Sequence, residues 1–448
     1  MSQPNTPSSQ GLDRRSLVKG GAGAAAASLI SGPSLARSAW AAGSDEIRIG
    51  LIGCGGRGTG AAMDALKADP GVVLTAMGDT FADRLQGSLR GIRNQAENMA
   101  ADPEAEYDLR DRIRVSDDQQ FVGFDAYQRV IDSDVHVVLL ATPPHFRPVH
   151  LRAAIEANKH VFCEKPIATD APGVRHVLET SEMAEQRRLS LVSGLCWRYN
   201  LPEMATFQRL HEGAIGDIRM MYTTYLTGPL WHMDRQESWS DMEYTLRNWL
   251  YRTWLSGDHI NEQAIHSIDK MLWAMNGQVP KSCTALGGRE VRTEERYGNI
   301  FDHFSVVYEY EDGCKGFHVA RQQQGCSNDN TDHFGGTKGL CDVHGWSGVH
   351  RIRGEQNWDY DGPTKSMYLH EHEQLFAAIR ADAPINNGEY MSHSTMMAIM
   401  GRMSAYTGKT LTWEQALNSQ QDFTLERYDW DVAPPETEIA VPGRTPFV

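Results

Sequence analysis

Cysteine is scarce. The 448 residues hold seven, an odd number, and no two stand in C-x-x-C spacing, so no paired redox motif is written here. Cys54 and Cys163 fall on or beside expected strands and read as small buried hydrophobes. A disulfide among Cys314, Cys326 and Cys341 stays open. Positive charge is in deficit, with 43 Lys and Arg against 58 Asp and Glu and a net charge of −15. That balance argues against nucleic acid or an anionic membrane surface as partner. Long apolar runs are missing too. The Gly/Ala-rich stretch at 20–30 is too short and too glycine-rich for a permanent membrane anchor. There is no Walker loop, no nucleophile elbow and no internal repeat. The scattered histidines lack ligand spacing, so no metal is expected. His370 and His372, two apart on an expected helix, point away from each other.

What is present begins at 47–52, a short apolar run rich in β-branched residues that reads as a buried strand. It leads directly into Gly53-Cys54-Gly55-Gly56-Arg57-Gly58, the spacing G-x-G-x-x-G, followed by a helical pattern with Ala61, Ala62, Leu66 and Ala68 facing a sheet. In this context the first glycine permits a tight turn and the second lets backbone approach a pyrophosphate. The third lets helix and strand pack closely. The pyrophosphate would sit on the helix N-terminus, where free N–H groups and the dipole favour an anion. A second strand, 72–77, ends at Gly78-Asp79, 26 residues after Gly53. There a carboxylate is placed to accept from ribose hydroxyls. It would also repel a 2′-phosphate. No Arg or Lys follows directly and Arg84 is the nearest, so NAD is expected over NADP.

Helix and polar loop are expected over 81–111, a short strand over 112–116 and a helix over 121–131. Strand 135–141 ends in Thr142-Pro143-Pro144-His145, and helix 150–158 follows. Strand 159–163 ends in Glu164-Lys165-Pro166, with helix 172–187 and strand 189–195 after it. This alternation predicts a doubly wound parallel sheet, with ligands at the carboxyl ends of its strands. Gly53, Asp79, Thr142, Pro143, Glu164 and Lys165 all lie at such ends. With 41% hydrophobic residues the chain can build two cores.

Ahead of all this stands Asp13-Arg14-Arg15-Ser16-Leu17-Val18-Lys19, a twin-arginine pattern. A weakly hydrophobic stretch and the A-x-A signal Ala39-Trp40-Ala41 follow it. Residues 1–41 therefore read as a targeting segment, with a periplasmic or otherwise exported destination.

Ala141-Thr-Pro-Pro-His145 and Ala157-Asn-Lys-His-Val-Phe-Cys-Glu-Lys-Pro166 resemble the glucose–fructose oxidoreductase and inositol dehydrogenase family, Gfo/Idh/MocA. The Glu-Lys-Pro triplet is that family's most specific mark. The resemblance extends to the closing segment 399–409. It implies a Rossmann domain (45–195) and a second α/β domain (196–430) with an open, mostly antiparallel sheet; the tail, 431–448, is Pro-rich and reads as extended. The resemblance also implies NAD(P)-dependent oxidation or reduction of a sugar, polyol or inositol, and a homo-oligomer, dimer or tetramer. His145, Arg57 and the residues at the strand ends are then cofactor-binding candidates. Trp197 and Arg198, where the second domain starts, join Lys165, Glu262 and His266 as substrate-binding candidates.

Hydride transfer from a carbinol needs a base or cation at the hydroxyl. Lys165, at a strand end, can hydrogen-bond the reacting oxygen and stabilise developing alkoxide. From Ile260 a helix is expected. Ile265, Ile268, Leu272 and Trp273 would face the core, and Glu262, His266 and Asp269 an adjoining face. The family carries Asp-x-x-x-His here, with the His as general base. His266 matches and Glu262 replaces the Asp. The plain alternative for His266 is a satisfied core histidine, and Asp269 reads as structural. The aromatic-dense stretch 231–254 can stack on sugar faces or serve as core. Strands 304–310 and 316–323 are expected around a turn at 311–313, with Arg321 and Gln322 as weaker substrate candidates. A Met-rich helix over 394–406 reads as core.

Three readings stay open. One is an NAD-dependent dehydrogenase of a sugar, polyol or inositol, with His266 taking the proton and Lys165 polarising the oxygen. Another is a redox-neutral NAD-dependent glycosidase or lyase, with Glu262 or a tyrosine as second base. The third is a non-catalytic dinucleotide-holding protein. Export favours chemistry that resets its cofactor, because no free NAD pool lies outside the cytoplasm.

Overall fold

The computed structural model describes residues 45–103, 108–435 and 438–448; residues 1–41, expected to be a targeting segment, lie outside them. Six strands form the first sheet: β1 (Ile47–Ile52), β2 (Val72–Asp79), β3 (Gln120–Val122), β4 (Val137–Leu140), β5 (His160–Cys163) and β6 (Leu191–Ser193). Their order is 3-2-1-4-5-6 and every pairing is parallel. Strand order reverses between β1 and β4, which makes the ends of those strands the ligand crevice. Ile49, Leu51 and all four residues of β4 are fully buried, as expected of parallel strands covered by helices on both faces.

Nine strands form the second sheet: β7 (Ile218–Thr227), β8 (Ser282–Gly288), β9 (His303–Glu309), β10 (Lys315–Gln322), β11 (Asp332–Gly336), β12 (Gly339–His344), β13 (Val349–Gly354), β14 (Trp358–Asp359) and β15 (Leu411–Thr412). The order is 14-13-12-11-7-10-9-8-15, antiparallel throughout except for the central pair β7 and β10. Alternation sets its two faces. Met221, Thr223, Val306, Tyr308, Ala320 and Phe334 are buried beneath helices, whereas Met220, Tyr222, Leu286 and Leu340 are exposed on the other side.

Two late helices tie the layers together. Met367–Arg380 packs against Gly56–Ala68, and Arg380 forks onto Asp69 at 2.5 and 2.7 Å. Gly388–Thr407, the Met-rich helix, lies between helix Ala171–Gln186 and β8 and is buried along most of its length. Flexible Met side chains fill the irregular gap between two differently twisted sheets.

The structure corrects several expectations. Residues 112–116 form no strand; Ile113 makes one isolated bridge to Leu74. The edge strand is β3 instead, and the helix after it is confined to Ala126–Asp132. The helix expected from Ile260 is broken. His259–Glu262 is one short turn and the continuous helix is Ile265–Ala274. No disulfide joins Cys314, Cys326 and Cys341; all seven cysteines are free. Among the described residues no helix is long and apolar enough to cross a membrane.

Candidate active site and cofactor cleft

The glycine run divides its work by position. Gly53 has φ of +96°, and a Cβ there would lie 2.6 Å from the backbone of Ala141 and Thr142. A Cβ on Gly58 would meet the Gly53 carbonyl oxygen at 1.9 Å. Both glycines are required by the protein's own packing. Gly55 and Gly56 differ, because a Cβ on either meets nothing within 4 Å. Their bareness faces open space at the start of helix Gly56–Ala68, which has no side-chain cap. The free N–H groups of that first turn form an anion cradle. Across the turn, Asp79 accepts from the Cys54 N–H (2.6 Å) and the Phe81 N–H (2.8 Å). Burial still pushes its carboxyl above the ordinary range, so ribose hydroxyls offered to it would find a desolvated acceptor. This donor and acceptor set fits a dinucleotide.

These residues line a cleft with about 1260 Å³ of empty space. Arg57, Arg84, Thr142 and Pro143 line it as well, as do Phe81, Phe124, Trp231, Leu246 and Trp249. Two aromatics of the 231–254 stretch, Trp231 and Trp249, therefore serve the cofactor cleft. Trp231, Leu246 and Trp249 come from the second half of the chain and line the cleft together with residues of the first. Arg247, between the last two, makes a forked pair with Asp83 at 2.9 and 3.0 Å and stacks on Phe81 and Trp239. Trp430 of the C-terminal segment packs on Phe124, 4.7 Å between centroids, and on Phe81. Three expected cofactor residues, His145, Glu164 and Lys165, lie off the cleft. His145 is buried, donates to or accepts from the Tyr428 hydroxyl at 2.6 Å, and is pushed down to about 4 by burial. Glu164 is buried behind Arg57, which donates to it at 2.5 Å. Beyond Arg57, at 3.6 Å, lies Glu371. Burial and the neighbouring Glu164 drive the Glu371 acid well above its usual range. Nothing in the sequence marked this residue.

Lys165, Glu262 and His266 are brought together. Lys165 Nζ donates to the Glu262 carbonyl oxygen (2.5 Å) and to Glu262 Oε1 (3.2 Å). The Lys165–Pro166 peptide is cis. His266 is held neutral, first by burial and then by the cations Lys165, Lys270 and Arg57. Its Nδ1 is buried without a protein partner. A neutral imidazole beside an ammonium is a base that has not yet taken its proton. Glu262 does not orient His266 along one helix, because the chain breaks between them.

Asp269 is structural: it accepts the Arg198 fork at 2.8 and 2.9 Å and the Ser394 hydroxyl at 2.6 Å. Arg198 is thereby occupied, and it also stacks on Trp273 and Tyr390. Trp197 is buried, with Lys270 Nζ 4.6 Å from its ring. Gln322 faces inward but donates to Gln263 and accepts from Arg292. Arg321 instead donates to the Ser327 carbonyl. Sequence reasoning missed Tyr225. It sits at the C-terminal end of β7, where burial and the Glu262 carboxylate raise its hydroxyl.

Residues 47–192 match the oxidoreductase family with an NAD-binding Rossmann fold, GFO_IDH_MocA, and residues 205–341 match the GFO/IDH/MocA C-terminal domain. The chain is 29% identical over 231 residues to a glycosyl hydrolase family 109 protein of Streptomyces coelicolor, covering 51% of this chain and 43% of that one. It is 32% identical over 182 residues to inositol 2-dehydrogenase 4 of Saccharopolyspora erythraea, covering 40% and 45%. It is 23% identical over 274 residues to 2,7-anhydro-N-acetylneuraminate hydratase of Escherichia coli, covering 60% and 66%. The match thus spans 43% to 66% of these relatives' lengths. The fold is shared with aldose-aldose oxidoreductase from Caulobacter crescentus complexed with glycerol (TM-score 0.62, 16% identity, 82% of this chain and 99% of that one). It is also shared with levoglucosan dehydrogenase complexed with NADH and levoglucosan (TM-score 0.62, 17% identity, the same coverage). The chain belongs to the Gfo/Idh/MocA oxidoreductase family and carries that family's NAD-binding Rossmann domain.

Proposed function

We propose that the protein oxidises or reduces a hydroxyl or ketone of a sugar, polyol or inositol. The observation that carries this is the pairing of the Lys165 ammonium, just past the end of β5 and held on Glu262, with a neutral His266 near enough to feel its charge. NAD, when bound, supplies the hydride acceptor. Lys165 donates a hydrogen bond to the reacting oxygen and stabilises negative charge developing there. His266 accepts the hydroxyl proton in oxidation and returns it in reduction. Glu262 holds the Lys165 ammonium in place and is the candidate for a second base. The test is a panel of monosaccharides, polyols and inositols, followed by the absorbance of reduced nicotinamide. One member should give a signal that His266→Ala abolishes while bound NAD is retained. A signal indifferent to His266 would remove it from the mechanism.

A second reading is the redox-neutral glycosidase or lyase, for which Glu262, held against Lys165, supplies the second base. The glycosyl hydrolase family 109 name of a relative points the same way.

Two further parts of the proposal concern setting. The twin-arginine segment 1–41 directs export, ahead of a cofactor domain at 45–195, a substrate domain at 196–430 and a tail at 431–448. Replacing Arg14 and Arg15 with Lys should keep the protein in the cytoplasm on fractionation. The exposed face carrying Met220, Tyr222, Leu286 and Leu340 supports a homo-oligomer, to be read from the mass in solution.

A further inference from the structure

A shallow groove opens at the C-terminal end of β7, beside the catalytic residues. Tyr225 and Thr227 form one wall, the loop residues Asn328 and Asn330 another, and His344 and Trp346 the third. Trp346 is 64% exposed, unusual for the largest apolar side chain. It is held edge-on against buried Trp197, 4.9 Å between centroids and 84° between planes. Most of its indole is left to solvent. Around it stand side chains that both donate and accept, two amides, four hydroxyls and an imidazole, with the Asp329 carboxylate beside them. Thr227 Oγ1 and His344 Nε2 are buried with no protein partner, a costly state that a bound hydroxyl would relieve.

The groove lies near the catalytic residues. Tyr225 lines it and also feels the Glu262 carboxylate. Ser267, next to His266, bonds the Thr224 carbonyl of the same strand at 3.0 Å. An aromatic plate ringed by hydroxyl and amide groups matches a pyranose, with its apolar C–H face and equatorial hydroxyls. We infer that this groove is a second saccharide subsite, which binds a sugar ring glycosidically linked to the ring held at Lys165 and His266. The inference rests on the carbohydrate reading above and narrows it from free monosaccharides to glycosides.

The test uses the full-length protein loaded with NAD. Maltose, cellobiose, lactose and chitobiose are compared with glucose, galactose and N-acetylglucosamine by saturation-transfer NMR titration. One disaccharide should bind about tenfold more tightly than its own monosaccharide, a gap of the size one aromatic anchor supplies. Trp346→Ala should erase that gap and leave monosaccharide binding and bound NAD unchanged. Thr227→Val should narrow it. Monosaccharide binding with no disaccharide advantage, or an advantage that survives Trp346→Ala, overturns the subsite alone. If none of the seven sugars binds, the subsite falls, and the carbohydrate reading falls with it if the wider panel of monosaccharides, polyols and inositols is silent as well.

Discussion

The ammonium of Lys165 donates to two oxygens of a single residue, Glu262, at 2.5 Å on the main chain and 3.2 Å on the side chain. One contact is indifferent to the side chain at 262 and the other depends on it. Lys165→Ala removes the donor to the reacting oxygen and should lower kcat by about 10²–10³-fold. Glu262→Gln keeps the carbonyl contact and should cost far less in a simple oxidation. Steady-state kinetics on both variants, with bound NAD quantified, separates them. Equal losses would mean that the Glu262 carboxylate itself does chemistry.

Gly55 and Gly58 should fail in opposite ways. Gly58→Ala drives a Cβ toward the Gly53 oxygen and should destabilise the fold by about 2 kcal/mol or more. Gly55→Ala meets no protein atom. It should melt like the parent yet bind NAD at least about tenfold more weakly, because the methyl occupies the pyrophosphate's place. Thermal melts and NAD titration check both.

Arg247 and Asp83 clasp the two halves of the cleft. Asp83 is 64% exposed, so the pair adds about 1 kcal/mol or less to stability. Its effect should appear in the cofactor's residence. Arg247→Ala is expected to speed NAD release by about tenfold with little change in Tm. Stopped-flow displacement of bound NADH measures it.

His372 is buried against Phe162, 4.3 Å between ring centroids, with neither nitrogen partnered. Burial, and then Arg57, hold it down to about 3. Above the unfolded value of 6.5 both states are neutral and the residue is silent. Below it the unfolded chain takes a proton that the native state refuses, so stability falls as pH drops toward 3. His372→Leu should therefore reduce the loss of unfolding free energy between pH 8 and pH 5 by about 2 kcal/mol. Denaturant melts at the two pH values give the difference.

The legible parts were those in which function dictates spacing. Gly53, Gly55, Gly58 and Asp79 are placed by a turn, a helix start and a strand end, and each of those is local. The motifs single out Lys165 and His266, and the structure sets Lys165 against Glu262 and buries His266 among cations. The misread parts were decided by distant partners. Phe121 and Phe124 share a helical spacing, yet residues 120–122 are captured by the edge of β2. Glu262 and His266 are four apart, yet no continuous helix joins them, because Asp258 at φ +72° starts a separate turn whose cap is held by Phe301 and Tyr406. Arg198 and Asp269 are 71 residues apart, and nothing in either neighbourhood announces the pair. The aromatic stretch was visible, but its destination over the cofactor cleft depends on Arg247 meeting Asp83, 164 residues away.

The most direct measurement is made on protein purified without added nucleotide. It is denatured, and the supernatant is assayed for NAD(H) and NADP(H). Near-stoichiometric NAD is expected, held in the cleft between Gly55 and Asp79 beneath Trp231 and Trp249. Protein that carries no dinucleotide, and takes up none when NAD is supplied, would contradict the whole assignment from Gly53 onward.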